Sequence, residues 1–232
     1  MTELAALAWP EVGRRAAAGA VLAVPLGATE QHGPHLPTGT DTDLAVALCA
    51  RLAARHPGVV VAPALPFGSS GEHAGFPGTL SIGQAATELV VLELGRSAGE
   101  TFDRLLFVSA HGGNAGPVRR AIARLAAEGR AVLLFEPRWE GDPHAGRPET
   151  ALQLALAPQR VGAAPAAGCT RPLPEILPAL RAGGVRAVSP SGVLGDPRGA
   201  TAAEGEQLLA QLTAALLTAV AAWLPQPAGA RP

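Results

Sequence analysis

Four short runs rich in branched apolar residues do more than any other feature to limit what this chain can become: AVLAVPLG (20–27), VVVAPALPFG (59–68), RLLFVSA (104–110) and AVLLFE (131–136). The stretches between them carry helical spacing, and strands alternating with helices make a mainly parallel sheet covered on both faces. Leu44, Leu48 and Leu52 recur four apart and HPG closes the segment, which predicts a helix from Thr42 to about Arg55. Further helices are expected over about Gln84–Glu100 and Pro117–Glu128, from near Glu149 onward, and over Thr201–Trp223, where Leu208, Leu212, Leu216 and Val220 form one stripe. The Pro-, Gly- and Ala-rich segment Ala163–Ala200 yields no placed element. A chain of 232 residues supports one sizeable core, so the expectation is a single α/β domain over 1–224 followed by a short flexible tail, PQPAGARP, at 225–232.

In an open parallel sheet, ligands bind beyond the carboxyl ends of the strands, where loops converge and helix N-termini point inward. The four expected strands end in GATEQHGPH, FGSSGEHAGFPG, SAHGGNAG and FEPRWEGDPHAGRPET, and five of the six histidines fall in these loops. Only His56, in RHPG, lies elsewhere, where it suits a helix C-terminus.

Composition narrows the chemistry these loops can perform. Every basic residue is Arg and Tyr is absent, which removes a Schiff-base lysine, a phosphate-loop lysine and a tyrosine acid. Cys49 and Cys169 have no Cys-x-x-Cys spacing, so neither a disulfide framework nor a thiolate zinc site is indicated and a reducing, cytoplasmic home is expected. A formal net charge of −1, from 18 basic and 19 acidic residues, leaves no basic field for a nucleic acid or an anionic membrane. The N-terminus is acidic early and basic late, the reverse of a secretory signal. No wholly apolar run approaches the roughly 20 residues of a membrane span.

What remains is His, Asp, Glu and metal. Glu30 and His32 are two apart at a strand end and Asp41 follows in the same loop, a mixed N/O donor set of the kind that holds Zn²⁺, Mn²⁺ or Fe²⁺. A carboxylate shared by two such ions makes a site that generates a nucleophile from water near neutral pH and polarises a carbonyl; Asp41 is the bridging candidate. Asp41 equally suits a helix N-cap and Asp43 a first-turn charge. His111, followed by Gly112 and Gly113, reads as a ligand or as part of a tight turn or phosphate nest, with Asn114 a helix cap. His144 and Glu149, five apart, offer a proton donor and a ligand or base, or else an exposed histidine beside a capping glutamate. GSSG at 68–71 lacks the spacing of a nucleophile elbow, and no GxGxxG is present for a dinucleotide.

Taken in order, EQHGPHLPTGTD, AHGGN and HAGRPET resemble the creatininase family of metal-dependent amidohydrolases, and the likeness extends to HAGFPGTLSIG and GVLGDPRGATAAEGE. Within that family, SGEHAGFPGTLSIG and the short chain are most similar to a peptidase branch. The resemblance implies a three-layer α/β/α fold, two divalent metal ions per subunit (Fe²⁺ or Zn²⁺, with Mn²⁺ also admitted) and a homo-oligomer, often a hexamer. It implies as substrate a modified precursor peptide, from which metal-activated water releases a C-terminal Val-Tyr-derived dipeptide; the alternative is hydrolysis of another small cyclic amide or formamide, and a non-catalytic metal- or peptide-carrying module is the rival outside enzymes. Position by position, it implies Glu30 and His111 on one metal, His32 on the other, Asp41 bridging both and His144 as catalytic histidine. Where creatininase proper has a glutamate two residues after the third-loop histidine, this chain has Gly113, so Glu149 is the expected replacement ligand and a candidate base. His35, His73 and Arg147 are expected to shape the pocket or hold substrate, with Arg147 as a carboxylate clamp and Glu72 as a further contact.

Overall fold

The computed structural model describes residues 2–163 and 166–224; the expected tail at 225–232 lies outside the described residues. Strands β1 (Val21–Leu26), β2 (Val59–Val61), β3 (Arg104–Ser109) and β4 (Ala131–Phe135) form one sheet in the order β2-β1-β3-β4. All three pairings are parallel, with Leu22 opposite both Val60 and Leu105. The second run gives a short strand because Pro63 and Pro66 cannot donate to a ladder. Beyond Val61 the run returns to β1 as a single bridge, Leu65 to Leu26.

Side chains alternate across the pleat, and the two sets face two different layers. Val21, Ala23, Leu106 and Val108 pack against α2 (Thr40–Arg55), α5 (Arg147–Leu156) and α7 (Ala202–Trp223). Leu22, Val24, Leu105 and Phe107 pack against α1 (Trp9–Ala17), α3 (Gly83–Ala98) and α4 (Ala115–Ala127). The result is the α/β/α sandwich expected. Helix α1, nine residues long, buries fully only Ala16 and escapes the sequence reading.

A seventh helix, α6 (Leu173–Val188), occupies the segment in which no element could be placed. Pro178 lies inside it and Gly184 breaks it at φ 69°, ψ −174°; both features erase the signals by which a helix is read. Ile176 and Val185 seat it over Leu194 in a small separate cluster.

Helix α7 starts at Thr201, whose hydroxyl accepts from the Glu204 N–H while the Glu204 carboxylate accepts from the Thr201 N–H, a reciprocal cap. By length and composition α7 alone among the described helices is long and apolar enough to cross a membrane. Its stripe of Leu209, Leu212, Leu216 and Val220 is instead buried in the core. Gly205 lets α7 approach α5 closely: a Cβ there would collide with the Ala151 carbonyl.

Candidate metal centre

Three loops leave the carboxyl edge of β1, β2 and β3, and Asn114 ties them together. Its amide donates to the Gly27 carbonyl (3.0 Å) and its oxygen accepts from the Ser69 N–H (2.9 Å). The helix-cap role open to Asn114 is not taken up by its side chain. Asp41 likewise does not cap: α2 begins at Thr40 after Gly39, with no side-chain cap bond, and Asp41 turns its carboxylate inward. Asp43 pairs with Arg160 at 2.7 Å, outside the centre.

Glu30, His32, Asp41, His111, His144 and Glu149 come together in one buried cluster. His32 Nε2 lies 3.3 Å from Asp41 Oδ1 and 3.9 Å from Glu149 Oε2. His111 Nδ1 lies 3.2 Å from Asp41 Oδ2, and its Nε2 3.3 Å from Glu30 Oε2. Asp41 thus faces both His32 and His111, as a bridging carboxylate would. Three overlapping sets, Glu30–Asp41–His111, His32–His144–Glu149 and Glu30–His73–His144, each bring one donor atom per residue within 4.8 Å of the others.

The second layer fixes these rings. The Gln31 oxygen accepts from the Gly33 N–H at 2.8 Å, which turns its amide nitrogen toward the Gly192 carbonyl (3.1 Å), His73 Nδ1 (2.9 Å) and His144 Nε2 (3.0 Å). His73 Nδ1 therefore accepts, and its Nε2–H faces Glu30 Oε1 at 3.4 Å. His144 Nε2 also lies 2.9 Å from the Gln31 carbonyl, to which it donates when protonated there, leaving Nδ1 toward Glu30. His35 donates from Nε2 to Thr150 Oγ1 (2.9 Å), whose own proton goes to the Gly146 carbonyl, so His35 braces the start of α5 beside Glu149. Ala145, between His144 and Glu149, sits in the left-handed region at φ 52°, and its N–H donates to Glu149.

Electrostatics follow from crowding acids and imidazoles away from water. Burial and the neighbouring Asp41 push Glu30 up to about 8, and burial chiefly pushes Glu149 up to about 7. Burial disfavours the imidazolium of His32 and of His111, yet Asp41 and the glutamates outweigh it and raise them to about 10 and about 9. Burial likewise opposes ionisation of Asp41, but His32 and His111 hold its carboxyl well below the usual range. His73 is lowered to about 3 and His144 well below 6.5, by burial and then by the adjacent imidazolium groups.

This donor set fits divalent cations. Glu30 Oε2, His32 Nε2 and Asp41 Oδ2 are buried without a hydrogen-bond partner, and among the described residues no arginine enters the cluster to balance its carboxylates. Buried charges persist only when paired or coordinated. Thiols take no part, since Cys49 is buried in the core against α7 and Cys169 lies under α6.

The cluster floors a cleft of about 810 Å³, whose opposite wall is Leu173, Leu177, Leu180 and Val185 of α6. Arg147 does not reach it. Its guanidinium pairs with Glu204 at 2.6 Å and donates to the Arg198 carbonyl, so the clamp expected of it is already spent on α7. Arg181 is the arginine that lines the cleft. Sequence reasoning gave no role to Gln31 and Arg181, and none beyond a cap to Asn114; EQH and HGGN carry the first and third as apparent spacers, whereas nothing marked Arg181.

Fold and site together define a metal-dependent hydrolase built on an α/β/α sandwich. A family model described as creatinine amidohydrolase matches residues 5–220, and the chain belongs to the creatininase family. Similar relatives include the mycofactocin precursor peptide peptidases of Mycobacterium ulcerans (strain Agy99), 46% identical over 221 residues covering 89% of this chain and 86% of the relative, and of Mycolicibacterium smegmatis, 46% identical over 211 residues covering 87% and 85%. The creatinine amidohydrolase of Pseudomonas putida is 34% identical over 145 residues, 58% of this chain and 51% of that one. Among solved structures, a manganese creatininase superposes with a TM-score of 0.84 at 26% identity, covering 97% of this chain and 99% of its own. A mutant creatininase of Zn-Zn type superposes at 0.82, also with 26% identity, over 97% and 98%.

Proposed function

We propose that this chain is a dinuclear metal-dependent peptidase that releases the C-terminal Val-Tyr-derived dipeptide from the modified mycofactocin precursor peptide. The observation that carries this reading is the shape of the cleft: a donor set for cations on its floor and a leucine wall on its far side, in a volume of about 810 Å³ that admits the bulky apolar end of a peptide. Identity of 46% to precursor peptide peptidases along nearly nine-tenths of the chain supports it, against a shorter match to the creatinine amidohydrolase.

Glu30, Asp41 and His111 would hold one ion, and His32, Asp41 and Glu149 a second, with zinc, iron and manganese all suited to such donors. When bound, the ions supply Lewis acidity, which makes water nucleophilic near neutral pH and polarises the scissile carbonyl. Glu149, grouped with His32 and His144 in the cluster, accepts the proton of the attacking water. His144 enters the reaction neutral, so the proton it gives the departing amine is one it first takes up from its neighbour Glu149. Water's hydroxyl ends on the acyl carbon and its proton on the amine nitrogen. The α6 leucines receive the apolar leaving group.

The test is mass analysis of the products after incubating metal-reconstituted protein with the modified precursor peptide. Two fragments whose masses sum to that of the peptide plus one water are expected. An intact peptide beside hydrolysed creatinine or a formamide would move the assignment to the small-amide reading, and loaded protein inert toward every amide would leave a binding module.

Outward-facing Phe67, Leu80, Ile82, Leu89 and Leu94 support association of several copies of the chain in the cytoplasm. Light scattering should return a multiple of the 23.4 kDa chain mass; a monomer at micromolar concentration would refute it.

A further inference from the structure

The space two residues beyond His111 is not vacant. A Cβ on Gly113 would collide with the Ser69 carbonyl, His111 Nε2 and Glu72 Oε1, so no side chain fits there and the carboxylate of Glu72 lies in its place. Glu72 reaches in from the short 3-10 turn Gly71–His73, in the loop after β2.

That turn is held by α6. Gly184 adopts a conformation essentially closed to residues with a side chain, and a Cβ there would come within 2.6 Å of the Glu72 carbonyl. Arg186 donates to the Gly75 carbonyl at 2.8 Å and stacks over Phe76. Backbone this closely fixed sets the direction of the Glu72 Cα–Cβ bond, and the side chain, 37% exposed, lines the cleft beside Glu30, Asp41 and His111.

Glu72 Oε1 lies 3.9 Å from His111 Nε2, the same nitrogen that faces the unpartnered Glu30 Oε2 at 3.3 Å. Among the described residues no arginine pairs with Glu72, and its carboxylate accepts no hydrogen bond. Two acids thus converge on one imidazole, whose Nε2 also meets the Ser69 carbonyl at 2.9 Å, and a divalent ion in place of the ring's second proton would hold both carboxylates. We propose that Glu72 is a further ligand, reaching in from the second loop, of the ion held by Glu30, Asp41 and His111. Glu149 then serves the His32 position alone. The assignment rests on the metal-centre reading above.

The test needs no peptide. Chelated wild-type protein is titrated with Mn²⁺, with free ion read by electron paramagnetic resonance and heats by calorimetry. Two ions per chain are expected for the wild type. Glu72→Gln, which keeps the shape and removes the charge, weakens one of the two by about tenfold to a hundredfold and leaves the other unmoved. Glu72→Asp loses less than Glu72→Gln, and Glu149→Gln weakens the opposite ion. Circular dichroism establishes that each variant is folded. A wild-type chain that binds one ion only, or Glu72→Gln binding both with wild-type affinity, overturns the assignment. A protein that loads two ions and leaves the precursor peptide whole ends the peptidase reading and leaves Glu72 where it is.

Discussion

Gln31 shows what a residue-by-residue reading can miss. It stands between two ligand-type side chains in EQH, and its own amide has no metal chemistry to advertise. In space it places one nitrogen within 3.1 Å of His73, His144 and the Gly192 carbonyl, and so decides which atom of each ring faces the carboxylates. Gly192, at φ 81°, permits this contact because a Cβ there would overlap the Gln31 amide. Replacing Gln31 with Leu keeps the volume and removes the hydrogen bonds, leaving the two rings free to turn. The expected result is a kcat about tenfold to a hundredfold lower with a folded protein; Gln31→Glu should not restore it, since a carboxylate cannot donate to His73 Nδ1. An unchanged kcat in Gln31→Leu would show that the rings are held by packing alone. The ligand types themselves were legible, because acids and imidazoles crowd into loops otherwise poor in charge. Their partners were not, since a hydrogen bond between residues 31 and 144 leaves no trace in local spacing. Arg147 makes the converse point: it stands two residues before Glu149, yet its long side chain leaves for Glu204.

Among the elements, legibility tracked apolar periodicity. Strands β1, β3 and β4 and helices α2, α3, α4, α5 and α7 each keep a continuous pattern, and the sequence places them to within a few residues; β2 ends at Val61, well short of its run, where the prolines begin. Helix α6 keeps no such pattern, because Pro178 and the Gly183–Gly184 pair interrupt it, and those same interruptions are what let it bend over the cleft and press on the Glu72 turn. Gly184→Ala should therefore cost stability locally. A side chain at φ 69°, ψ −174° is strained by about 1–3 kcal/mol, and the new Cβ must also push the Glu72 carbonyl away. The expected outcome is a lower thermal midpoint together with weaker Mn²⁺ binding at the position Glu72 faces. Gly183→Ala, where the backbone is helical and the new Cβ meets only the Ala187 methyl, at 2.8 Å, separates strain at the kink from crowding within the helix. Equal effects of the two substitutions would remove the kink from the account.

For the whole molecule, the metal centre behaves as one charge-balanced unit on which α2, α5 and three loops close, so its protonation should be visible in global stability. The metal-free protein has His32 and His111 raised to about 10 and about 9 from an ordinary 6.5, a contribution fully present below 6.5 and lost as pH rises through 9 and 10. Glu30 and Glu149, raised to about 8 and about 7 from 4.5, favour the protonated fold, and their cost grows from pH 4.5 upward until each has ionised. His35 and His73, lowered to about 4 and about 3, act the other way, but only below 6.5, where the unfolded chain would take up their protons. Above pH 6.5 every resolved shift within the centre points in one direction. The thermal midpoint of chelated protein should accordingly fall between pH 6.5 and 10. Divalent ions take the place of the protons the cluster loses, so the rise in midpoint on adding Zn²⁺ should be larger at pH 8.5 than at pH 6. A chelated protein whose midpoint stays level over that range, with a Zn²⁺ increment independent of pH, would mean that the acids and imidazoles do not share their charge as the geometry requires.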